Sequence, residues 1–185
     1  GLVWSSFHSS HSNIIDCTAK LFGGGVMCGN QGNLTMRHTG VMACSAASGG
    51  GLGLAAVLSP ATYAELINCV VVDCHATSLN GGGISCSTRS QATITRTTVA
   101  DCSCHKDGGG IAVSLATAAV VDCTIVRCHA VEGGGMILSD GEAQDQLRVI
   151  GSSISSCVAT HSGGGLAVKR GALTLLNRTL LLGNV

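Results

Sequence analysis

Aromatic side chains are almost missing from this sequence: of 185 residues, one is Trp, one is Tyr and two are Phe. A globular core is ordinarily filled in part by large rings. The interior must therefore be thin and closed by small aliphatic side chains, as in a narrow solenoid. Charge is scarce as well. Only 11% of residues are Asp, Glu, Lys or Arg, and the ten of each sign cancel. With no basic stripe there is no phosphate footprint, which argues against a nucleic-acid partner. No apolar run approaches the roughly 18 residues of a membrane helix, which argues against membrane insertion. No segment carries a helical apolar stripe of useful length. No secretory leader is visible from Gly1 onward, so the chain reads as a mature or excised segment.

Glycine and cysteine are plentiful, at 27 and 11 residues. Gly triplets begin at Gly23, Gly49, Gly81, Gly108, Gly133 and Gly163. A cysteine precedes each one: Cys17, Cys44, Cys74, Cys102, Cys128 and Cys157, spaced 26 to 30 residues apart. Asn184 continues that series. Three residues before this column stand Ile14, Val41, Val71, Val99, Ile125, Ile154 and Leu181, all aliphatic. Five before it stand Ser12, Thr39, Cys69, Thr97, Cys123, Ser152 and Thr179, all small. Eight before it the residue is apolar from Met36 to Leu176, with Ser9 the exception. Each triplet is followed by an apolar-x-apolar step, such as Ile84 and Cys86 or Ile111 and Val113.

Such short alternations are strand signals with one buried face. The Gly triplets mark tight corners where backbones approach closely or φ turns positive. A fixed period of this length signals stacked supersecondary units. The sequence thus predicts a right-handed parallel β-helix of about seven rungs of 26–30 residues, each with three short strands and three turns. The rungs form a single solenoid over residues 1–185 that begins and ends inside a repeat. Stacked at roughly 4.8 Å per rung, they give a rod about 30 Å long. Two longer insertions, Ala55 to Tyr63 and Ser139 to Gln146, are expected as solvated loops on an edge.

The column Cys/Asn-x-Ala followed by Gly-Gly-Gly-apolar, as in Gly81-Gly82-Gly83-Ile84, resembles the repeats of β-helix surface proteins. The nearest pattern is that of polymorphic outer-membrane autotransporter passengers and adhesin-like β-helix proteins. The resemblance covers the whole chain, with Cys standing where that family commonly has Asn. It implies a right-handed β-helix at a cell surface.

Several constellations bear on chemistry. Stacked column cysteines have Cα atoms about 4.8 Å apart, within disulfide range, although parallel stacking holds their Cβ atoms wider than a disulfide prefers. A buried ladder of free thiols and a set of disulfides between rungs are both open. Cys69, Cys104 and Cys123 stand where other rungs have Ser, Thr or Ala, which suits a packing role. Cys74-His75 and Cys128-His129 alternate faces on a strand, so no metal site is expected. Asp16, Asp73, Asp101 and Asp122 recur, yet only Asp73 and Asp101 are direct neighbours, so neither a catalytic pair nor a cofactor is expected. Scarce aromatics argue against a sugar-stacking groove. The Thr cluster from Thr93 to Thr98 occupies one rung only, which argues against ice binding. Asn33-Leu34-Thr35 and Asn177-Arg178-Thr179 are glycosylation sequons whose Asn side chains are expected to face outward.

Neither end carries a polar cap, and an open β-helix end is a template for further pairing. The chain therefore reads as a non-enzymatic structural rod or filament subunit, extracellular or at a cell surface. Its partners would be further copies stacked head to tail or neighbouring repeats of a longer chain, with glycans as possible decoration. The alternatives are an adhesin-like stalk that binds carbohydrate or a cell surface, and a polysaccharide-acting β-helix enzyme.

Overall fold

The computed structural model describes residues 6–56, 61–140, 146–169 and 173–185. Every ladder in it is parallel, and each strand pairs with its counterparts in the turns before and after it. The chain is an all-β parallel solenoid, six turns long with the first half of a seventh.

Turns two to six each hold four strands rather than the three expected; the first holds three, with Thr18 joined to Ser45 by an isolated bridge. In the fourth turn these are Ser90–Thr95, Thr98–Ala100, Ser103–Cys104 and Ile111–Ser114. The long strands and the Val/Ile strands each build a seven-stranded sheet. The strands that follow the Gly triplets build a six-stranded sheet, and the Cys-x-Ala segments a five-stranded one. That last sheet is the unpredicted one. Two residues are too few to show a period, but their amides still bond to the neighbouring turn, as His75 N–H does to Cys44 O at 2.9 Å. The expected seven rungs are six because the last turn supplies only Leu173–Asn177 and Leu180–Leu182.

The predicted columns are in register. Met36, Leu66, Ile94, Val120 and Val149 stack in order and are buried. So do Val41, Val71, Val99, Ile125 and Ile154. Leu52, Ile84, Ile111 and Met136 close the opposite wall. In a core this narrow, each side chain packs mainly on its own kind above and below, which holds every column to one size class. A small satellite of Ala112, Ile137 and Ala167 lies outside the main core. There the first glycine of each triplet folds back: a Cβ built on Gly133 would stand 2.8 Å from Ile137 Cβ.

Three corners recur in the left-handed region turn after turn, and a fourth, after the strand that follows the Gly triplet, joins them at Asn30 and Gln31, Thr88 and Arg89, Leu115 and Asp140. One uses the first glycine of the triplet, from Gly23 (φ 60°) to Gly163 (φ 68°). The second uses His11, His38, Asn68, Arg96, Asp122, Gly151 and Arg178; the third uses Asp16, Ala43, Asp73, Asp101, Arg127, Ser156 and Gly183. Asp and Asn tolerate this conformation better than most residues, which accounts for the recurrence of aspartate at these corners. Of the two predicted insertions, residues 57–60 and 141–145 lie outside the described residues. No helix among the described residues is long and apolar enough to cross a membrane.

Candidate functional site: a thiol ladder within and a polar groove outside

Directly after each of the two non-glycine corners comes a small hydrogen-bonding side chain, and these form two inner ladders. In the first, Cys44 Sγ donates to Met42 O at 3.1 Å, Cys102 Sγ to Ala100 O at 3.1 Å and Cys157 Sγ to Ser155 O at 3.4 Å. Each thiol also lies 3.7 to 4.0 Å from a carbonyl of the preceding turn, as Cys74 does from Val41 O and Cys157 from Ile125 O. Asn184 shows what the column does. Its Nδ2 donates to Ile154 O at 2.9 Å, and its Oδ1 accepts the Cys157 amide at 2.9 Å. The amide thus makes, at full strength, the contact to the preceding turn that the thiols make weakly.

In the second ladder, Thr97 Oγ1 donates to Thr95 O at 3.0 Å and Ser152 Oγ to Ile150 O at 3.0 Å. Neighbouring turns are linked as well: the Cys69 amide donates to Thr97 Oγ1 at 3.2 Å, and the Cys123 amide to Ser152 Oγ at 3.0 Å. Ser, Thr and Cys interchange here because each offers one short donor that can also accept.

All eleven cysteines are free, and all but Cys17 are buried. Burial pushes the Cys86 thiol up to about 12 and the Cys104 thiol up to about 11. Side-chain hydrogen bonding to Cys128 and Cys74, with burial, holds Cys102 well above the ordinary value. Neutral thiols of this kind are poor nucleophiles. Among the described residues, no group of three or more His, Cys, Asp or Glu is gathered to hold a metal ion.

The recurring aspartates sit outside, and two of them, Asp73 and Asp101, have a basic neighbour. Arg127 grips Asp101 with Nε at 2.7 Å and Nη2 at 2.6 Å, and this hydrogen bonding holds the Asp101 carboxyl below its ordinary value. Asp73 lies 3.2 Å from His75 Nε2. A further acidic pair, Asp107 and Glu132, stands before the Gly triplets of successive turns and shares Lys169. Burial raises the Asp107 carboxyl.

The outer face of the long-strand sheet holds a concavity of about 410 Å³. Two parallel rows of side chains line it. Ser6, Asn33, Tyr63 and Gln91 stand in register across four turns, and His8, Thr35, Glu65 and Thr93 form the next row. Glu65 is paired with Arg37 at 2.8 Å. Of the two sequon residues, Asn33 is half-buried on the groove wall and Asn177 is exposed on the last long strand. Scarce aromatics argue against a sugar-stacking groove, and the one tyrosine of the chain, Tyr63, lies in this concavity. A signal for it does exist. Eleven residues before the Cys column stand Ser6, Asn33, Tyr63, Gln91, Thr117 and Gln146, all polar, with Leu173 the exception before Asn184.

No protein-family model matches the chain, and no curated protein or solved structure matches it either. The solenoid implied by the repeat is present. A kinship with outer-membrane adhesin passengers draws no support from these comparisons.

Proposed function

We propose that the protein is a non-enzymatic structural rod, extracellular or at a cell surface, whose end turns are covered by further solenoid turns. The covering turns come from a second copy stacked head to tail or from further repeats of the same polypeptide. One contrast carries the reading. Leu181 belongs to the column of Ile154, yet it is 46% exposed where Ile154 is 0%. Phe7 pairs with Leu34 and is 49% exposed where Leu34 is 1%. Core positions are thus open at both ends, alongside strand edges that invite parallel pairing. Uncovered apolar area of this kind favours association.

The non-enzymatic part is supported by the fate of the carboxylates. Asp16, Asp73, Asp101 and Asp122 occupy left-handed corners and do not converge on the groove. The extracellular part is supported by the sequons at Asn33 and Asn177 on the outer surface.

Sedimentation velocity over a wide concentration range tests the stacking. The mass of the wild type is expected to grow with concentration, whereas Leu181→Lys and Phe7→Lys, which place a charge on either end, remain single molecules. A wild type that stays monomeric throughout would remove the second copy as the covering partner.

A further inference from the structure

We propose that the groove on the long-strand sheet is a binding site for a short neutral oligosaccharide, with Tyr63 as the platform and Asn33 and Gln91 as the flanking contacts. The proposal is independent of how the ends of the rod are covered. A sugar ring offers an apolar C–H face and a rim of hydroxyls, each both donor and acceptor. A site for it needs a flat apolar surface beside groups that can donate and accept.

Tyr63 provides that surface, 46% exposed in a chain with only four aromatic residues. Tyrosine combines an apolar body with a polar tip. In register on either side of it stand Asn33 and Gln91, each with a carbonyl acceptor and an amide donor. The next row adds the hydroxyls of Thr35 and Thr93 and the carboxylate of Glu65. None of Asn33, Tyr63, Gln91 and Thr93 makes a side-chain hydrogen bond to another described residue, so their polar groups are available to a ligand. The 410 Å³ volume falls within the roughly 300–1,000 Å³ of small-molecule sites. The two rows run along the rod axis at about 4.8 Å per turn, so the groove is elongated and suits a chain rather than a single ring.

Charge decides the class of sugar. Glu65 is the one carboxylate among the lining residues, and Arg37 is held on it at 2.8 Å. An acidic sugar would meet this carboxylate with no lysine or arginine lining the groove to receive it. A neutral chain can instead donate its hydroxyls to Glu65, which the pairing with Arg37 orients.

The site also contains its own competitor. Asn33 is the acceptor of the Asn33-Leu34-Thr35 sequon, so a glycan attached there would fill the groove that Asn33 otherwise lines.

The test uses the full chain, made without glycosylation and labelled with ¹⁵N. It is titrated with neutral tetrasaccharides of glucose, mannose, galactose, xylose and N-acetylglucosamine, and with tetragalacturonate as the acidic comparator. At least one neutral chain is expected to shift the side-chain amide signals of Asn33 and Gln91. Tyr63→Ala should then weaken binding about tenfold or more, Gln91→Ala by about threefold to tenfold, and Tyr63→Phe by less than about threefold. Tyr63 and Gln91 are exposed, so these variants keep the fold, as an unchanged unfolding midpoint will verify. Protein carrying a glycan on Asn33 should fail to bind. The proposal is overturned if no neutral chain moves these amides, if only the galacturonate does, or if Tyr63→Ala binds as well as the wild type.

Discussion

The Gly-triplet corner and the two thiol or hydroxyl corners bend the same chain through the same left-handed region, yet they tolerate side chains in opposite ways. At the triplet, backbone lies on backbone. A Cβ on Gly109 would stand 2.4 Å from Gly134 O and 2.5 Å from His129 O, and one on Gly108 would meet Ile111 O at 2.7 Å. At the other two corners the left-handed residue is Asp, Asn, His, Arg, Ala or Ser, with Gly151 and Gly183 the exceptions, and those side chains are exposed or half-exposed. What those corners require is the next residue, a short group that returns a hydrogen bond to the backbone. The first kind of corner is specified by exclusion, the second by a bond. A repeat protein can therefore hold strict geometry with a strict sequence at one bend and a loose one at the others.

Substitutions on either side sharpen this contrast. Gly109→Ala is expected to have the largest effect, since both clashing atoms are backbone and cannot turn away. A loss of about 4 kcal/mol or outright failure to fold should be seen in urea denaturation. Thr97→Val keeps the volume but removes the Oγ1 that donates to Thr95 O and accepts from Cys69 N, and should cost about 1–3 kcal/mol. Cys102→Ala opens a small cavity and deletes a weak donor, for about 1–2 kcal/mol. Cys128→Asn should come within about 1 kcal/mol of the wild type, because Asn184 already shows an amide satisfying both backbone partners at this column. A loss as large as that from Gly109→Ala would show that the column demands sulfur for packing.

The smallest effect lies at the solvent side of a corner. Asp101 has its folded pKa depressed by Arg127, so the pair contributes stability above the unfolded carboxylate value. That contribution is lost as the pH falls through the lowered folded value. Arg127→Ala should unfold slightly earlier than the wild type at neutral pH, and the two denaturation curves should converge in acid. A gap that persists below the carboxylate range would assign the effect to packing of the arginine stem.

Much of this was legible because a solenoid repeats its own evidence. The Cys column, the Val/Ile column three residues before it and the apolar pair after each Gly triplet were readable and stand in register. The fourth strand was not, since Ser45–Ala46 and His75–Ala76 are too short to show alternation and are held by bonds between turns. The left-handed corners were half visible. Asp73 and Asp101 stood out, but Ala43 and Arg127 in the same column hid the shared conformation. The groove was missed for a different reason. Its chemistry comes from unlike residues, Asn33, Tyr63 and Gln91, which stand in one row eleven residues before the Cys column although Tyr63 falls within the expected insertion. A search for like residues in columns finds the core and passes over the outer surface, where the side chains differ from turn to turn.

The claim that the end turns are templates for further turns is tested most directly by cryo-electron microscopy of the protein at high concentration. The account predicts filaments with a rung spacing of about 4.8 Å and an axial repeat of about 30 Å, the rise of one molecule. Discrete particles of single-molecule length at every concentration, with Phe7 and Leu181 left uncovered, would contradict the stacking of a second copy on these ends.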